Sequence, residues 1–191
     1  MNFRRPISPI VLAAVLAAAL FAASPEKFAP KTLAPKTKVG RASIAAMEQS
    51  FNQRLARLWA DEPFLLLGTT RGFYLEGFGS VFSAEVNLAT GPNITPFRPT
   101  IAKADIERHR KKKIERLPAL KQAMRDMLTA SAASLDAVPV NEQIVVEVTL
   151  SRYPWEDMTG VPTGILMQAQ KKNLLDAQRT GADPAIREQE F

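Results

Sequence analysis

Cysteine is absent from the 191 residues, and histidine occurs once. The chain therefore has no disulfide framework, no thiol nucleophile and no thiolate ligand for a metal. An imidazole-based metal site or a catalytic triad needs partners that no motif here supplies. The Gly77-Phe78-Gly79 stretch lacks the lysine and the following helix of a phosphate loop. No cofactor and no metal are expected, and stability has to come from a hydrophobic core.

Positive charge is plentiful, but it is unevenly placed. The net charge of +6 arises before residue 42: Arg4, Arg5, Lys27, Lys31, Lys36, Lys38 and Arg41 oppose Glu26, so 7 − 1 = +6. The remainder balances, with 18 basic and 18 acidic residues left from totals of 25 and 19. A nucleic-acid footprint should appear as a charged face on the fold. A neutral folded part gives no reason to expect one.

The first residues have the layout of an export signal. Arg4 and Arg5 precede residues 10–23, which contain no charged or polar side chain. A positive start followed by a short apolar run is that signature. Cleavage after Ala23 puts Phe21 where a small residue is preferred, so a short uncleaved anchor is the alternative. The expected destination is the periplasm or the extracellular side, with inner-membrane attachment if the segment is kept. Residues 24–41 carry Pro25, Pro30 and Pro35 among lysines and read as an extended, disordered tether.

Residues 42–180 read as one domain. Ile44, Met47, Phe51 and Leu55 recur at helical steps over residues 43–61, with Ser43 as the expected N-cap. Phe82, Ala84, Val86 and Leu88 alternate with more polar neighbours, and glycines before them mark a hairpin. A long helical pattern covers residues 102–134, with a kink or a break expected at Pro118. Ile144, Val146, Val148 and Leu150 give the clearest strand, residues 164–169 its returning partner, and residues 171–179 a short helix. The expected class is α+β: an antiparallel sheet of about four to five strands with helices mainly on one face, a two-layer sandwich. Residues 181–191 are expected to be a frayed tail.

Several side chains are candidates for chemistry. Glu85 and Glu147 lie on the polar sides of two strands. If those strands are neighbours, the carboxylates suit glycosidic chemistry or a hard cation. Glu156 with Asp157 is a second acidic pair. Tyr153 and Trp155 in the 152–160 loop, and Tyr74 and Phe78 near the first hairpin, are candidate recognition aromatics; each also fits ordinary packing. Arg108, Arg110, Lys111, Lys112 and Lys113 form the densest basic run and a candidate surface for anions. His109, inside that run, reads as an exposed helix residue whose protonation the neighbouring cations disfavour.

At residues 72–88, 125–135 and 144–149 the chain resembles exported bacterial proteins to which no activity is assigned. That resemblance implies an envelope setting and no site residues. The expected function is a non-catalytic binding module with an envelope protein or cell-wall component as partner; oligomeric state is open. The alternatives are an envelope hydrolase using the paired carboxylates and a protein associated with anionic membranes.

Overall fold

The computed structural model describes residues 38–58 and 65–191. The expected export segment, the tether up to residue 37, and residues 59–64, which include the end of the expected first helix, lie outside the described residues.

Helix α1 (Arg41–Arg57) starts two residues before Ser43 and has Gly40 as its N-cap. Its stripe of Ile44, Met47, Phe51 and Leu55 is buried, as the spacing requires. The short β1 (Leu65–Leu66) is followed by a hairpin of β2 (Arg71–Leu75) and β3 (Gly79–Asn87). Gly79 has φ +135, and a Cβ there would lie 1.8 Å from the carbonyl oxygen of Gln143. Only glycine lets β3 begin so close to its neighbour.

Helix α2 (Lys103–Ser134) then runs for 32 residues, about 48 Å at a rise of 1.5 Å per residue. Pro118 sits inside it without ending it, so the expected division into two helices does not occur. The helix delivers the chain to β4 (Gln143–Leu150), which pairs with β5 (Gly164–Gln170) as a second hairpin. Helix α3 (Lys171–Thr180) ends on Gly181 at φ +69, and β6 (Arg187–Glu190) closes the chain.

Across the sheet the order is β1-β3-β4-β5-β6, with β2 sharing the edge of β3 that β1 uses. The class is α+β and the sheet is mostly antiparallel. The expectation of an antiparallel sheet fails at one place: β3 and β4, side by side, are parallel. Each hairpin fixes the pairing within itself and says nothing about how the two hairpins meet. A long helix between them carries the chain back to its starting end, which makes the next strand parallel.

One core lies between the sheet and the helices. Phe82, Val86, Ile144, Val146, Val148, Ile165 and Met167 face Phe51, Leu55, Leu120, Met124, Met127 and Leu174. The other sheet face carries exposed Glu85 and Thr149 with half-buried Ser83 and Glu147.

The end of the chain corrects the expected frayed tail. β6 pairs with β5, and Phe191 O accepts from Thr163 N at 2.6 Å and Gly164 N at 3.0 Å. Glu188 meets Lys121 at 2.7 Å and Arg125 at 2.6 Å, and Glu190 also pairs with Lys121.

Candidate functional site

Because β3 and β4 are parallel, the loops that follow them leave the sheet at the same end. The N-terminal half of α2 crosses that end. Its residues His109, Lys113 and Arg116 continue the inward stripe that becomes Leu117, Leu120 and Met124 further along the helix. All three polar members are buried, at 6%, 2% and 6% exposure. This corrects two expectations: His109 is not an exposed helix residue, and Lys113 is not part of a surface for anions. Helical phase leaves only part of the run on an outer face and turns positions 109, 113 and 116 inward.

Each buried group has a partner, as buried polar groups require. Lys113 Nζ donates to Ser151 O at 3.0 Å, and Arg116 Nη1 donates to Leu88 O at 2.6 Å. These carbonyls lie just past the ends of β4 and β3, beyond the sheet's own ladder. The loop between β4 and β5 supplies Glu156, whose side chain is 1% exposed. Its Oε1 lies 2.9 Å from His109 Nε2, and its Oε2 accepts from Lys113 Nζ. A carboxylate only accepts, so Nε2 carries the imidazole proton and Nδ1 of the neutral ring is bare. Burial pushes the His109 pKa below its usual value, against the pull of Glu156. Burial likewise lowers the Lys113 pKa, again opposed by Glu156.

Aromatic rings close over this charged brace. Trp155 lies 5.1 Å from His109 at a 60° tilt, and Tyr153 stacks on Trp155 at 5.4 Å and 6°. The loop after β3 crosses the indole at Gly91, where a Cβ would sit 2.7 Å from the Trp155 ring and 3.0 Å from His109 Cε1. Trp155 and Tyr153 are thus half-buried, with Trp155 packed between the brace and the loop.

Beside the brace lies a cleft of about 330 Å³, lined by Thr90, Pro92, Arg98, Asp105, Arg108, His109 and Lys112. Asp105 accepts from Arg98 at 2.7 Å and from Arg108 at 3.0 Å. Arg98 and Arg108 are 50% and 76% exposed, so their guanidinium groups also reach solvent. The cleft therefore presents cations above a half-shielded carboxylate, with a buried imidazole in its wall.

The other sequence candidates stand elsewhere. Glu85 and Glu147 are on neighbouring strands: Glu85 is opposite Thr149, and Glu147 is opposite Ser83. They are diagonal on the open sheet face, and Glu147 accepts from Ser83 Oγ at 2.5 Å and Thr149 Oγ1 at 2.7 Å. Glu156 is buried, whereas Asp157 meets Arg110 at 3.3 Å and is 41% exposed, so this pair does not share one environment. Tyr74 donates to Glu142 at 3.2 Å; burial, then the Glu142 carboxylate, raises its pKa. Phe78 is 43% exposed at the hairpin tip. Of the basic run, Arg108 and Lys111 are exposed, Arg110 and Lys112 are half-buried, and Lys111 faces Glu115 at 3.9 Å. Among the described residues no group of three His, Asp or Glu side chains is placed to hold a metal ion.

Sequence reasoning missed Arg98, which a proline-rich loop carries to α2, and the bracing role of Glu156. The recurrence at 109, 113 and 116 was the one available signal for the brace; nothing local pointed to Arg98. Comparison with protein-family models, curated proteins and solved structures gave no match in any of the three.

Proposed function

We propose that this is an exported envelope protein whose domain is a non-catalytic binding module for an anionic group, a phosphate or carboxylate, held in the cleft beside the brace. The observation that carries this reading is the balance of charge in that cleft. Arg98, Arg108 and Lys112 oppose Asp105, so 3 − 1 = +2, while burial favours the neutral form of His109. Charge-assisted hydrogen bonds from arginine suit planar or tetrahedral oxyanions.

The brace supports binding rather than chemistry. Both Glu156 oxygens are occupied, one by His109 and one by Lys113. That arrangement fixes the loop and the imidazole in place. Tyr153 and Trp155 then serve as the packed wall behind the cleft. Export rests on the layout of residues 1–23. Among the described residues no helix is long and apolar enough to cross a membrane.

Calorimetric titration with inorganic phosphate at low ionic strength tests the binding. The Arg108→Gln/Lys112→Gln double variant is expected to bind about tenfold more weakly, and added salt should weaken the wild type. Equal affinity in both proteins would contradict the reading. Intact-mass measurement of the native protein from fractionated cells tests export, and recovery of full-length protein from the cytosol would sink it.

A further inference from the structure

We propose that the turn at Thr95–Arg98 is an interfacial anchor that inserts Phe97 into the headgroup–acyl boundary of an anionic bilayer while the cleft cations meet lipid phosphates. Phe97 is 99% exposed, and Ile94 beside the turn is 53% exposed. A lone exposed apolar residue on a flexible loop needs no explanation. This one stands on a turn that is closed in both directions. Thr95 N donates to Arg98 O at 3.1 Å and Arg98 N donates to Thr95 O at 2.9 Å. A further bond runs from Arg98 N to Thr95 Oγ1 at 3.1 Å. Pro96 at the first central position presets the backbone for a turn. Ordering on binding therefore costs little, because the ring is already held out on a closed turn.

The turn is also fastened to the cations. Arg98 Nη2 donates to Asp105 at 2.7 Å, which ties it to the first turn of α2 and to Arg108. A convex tip with one ring presents no walls for a protein partner to fill. An aromatic tip joined through Arg98 to a cleft that also holds Arg108 and Lys112 matches a bilayer surface, where rings sit at headgroup depth and cations gain from anionic lipid. The electrostatic half of this inference rests on the anion-binding reading of the cleft; the apolar half rests on Phe97 alone.

The absence of cysteine makes a site-specific test direct. Phe97→Cys in the full chain, carrying an environment-sensitive fluorophore, reports on the tip itself, even if residues 1–23 also bind lipid. Ala133→Cys, exposed at the far end of α2, is the control. The label at 97 should shift to the blue with vesicles of phosphatidylcholine and phosphatidylglycerol in equal parts. It should not shift with phosphatidylcholine alone, and the label at 133 should stay unchanged. Phe97→Ser should weaken vesicle binding about tenfold, and removing one cleft cation about fivefold. No response at 97, while inorganic phosphate still binds in the cleft, would overturn the anchor and leave the anion reading standing. Loss of both responses would overturn both. A label at 97 that responds to a protein from envelope extract but not to vesicles would also overturn the anchor.

Discussion

Lys113 and Glu156 form an ion pair across α2 and the β4–β5 loop with both side chains almost wholly out of solvent, at 2% and 1% exposure. Taking two charges out of water costs several kcal/mol per ion, offset only by close pairing and full hydrogen bonding. Lys113 gains a second acceptor in Ser151 O, and Glu156 gains His109. Removing one partner strands the other. Glu156→Leu and Lys113→Met should each lower unfolding free energy by about 3–5 kcal/mol. The double variant should be less destabilised than the sum of the two, with urea midpoints as the readout. Additive losses would mean that the charges are not coupled.

The same brace sets a pH dependence. His109 has a folded pKa below its unfolded value of 6.5 because burial disfavours the imidazolium. The unfolded chain therefore binds the proton first as pH falls. Stability is complete above 6.5 and declines as the pH drops toward the folded pKa, by up to about 1.4 kcal/mol per pH unit for one proton. His109→Gln can still donate to Glu156 but does not titrate. Its stability profile should lack this slope, while the part due to carboxylates stays. Identical profiles for the two proteins would contradict the assignment.

Two hairpin glycines should behave differently. Gly77 has φ +82 and open space where a Cβ would sit, so Gly77→Ala should cost about 1–2 kcal/mol from backbone strain. Gly79→Ala adds a collision with the Gln143 backbone to its own positive φ. It should cost more than about 3 kcal/mol or prevent folding. Circular dichroism melts of the two variants distinguish these outcomes.

Removal of residues 187–191 should expose the β5 edge and strip Lys121 of both acidic partners. Open strand edges pair with other chains. The truncated protein should self-associate on size-exclusion chromatography with light scattering and unfold at lower urea.

Much of the fold was legible because its signals are local. Alternation at Phe82, Ala84 and Val86, and at Ile144, Val146 and Val148, reports a strand with one buried face. Glycines at 77 and 79 report the turn between β2 and β3. What was not legible depends on relations between distant segments. The parallel pairing of β3 with β4 follows from the return path of α2, which no local pattern encodes. β6 reads Arg-Glu-Gln-Glu, without apolar alternation; it is held by backbone pairing to β5 and by Lys121 and Arg125. The site was legible only in part. The basic run pointed to the right stretch of α2, but its inner members hold the loops together, and Arg98 reaches the outer ones from a loop whose path the sequence does not reveal.

In the proposed binding mode an anionic group settles among Arg98, Arg108 and Lys112 beside the His109 imidazole. The most direct measurement is a titration of isotope-labelled protein with inorganic phosphate, followed by nuclear magnetic resonance of arginine side chains and the histidine ring. Saturable shifts at Arg98, Arg108 and His109, with Arg187 on the edge strand β6 unmoved, are the predicted result. Shifts spread evenly over exposed arginines, or absent from His109, would contradict it.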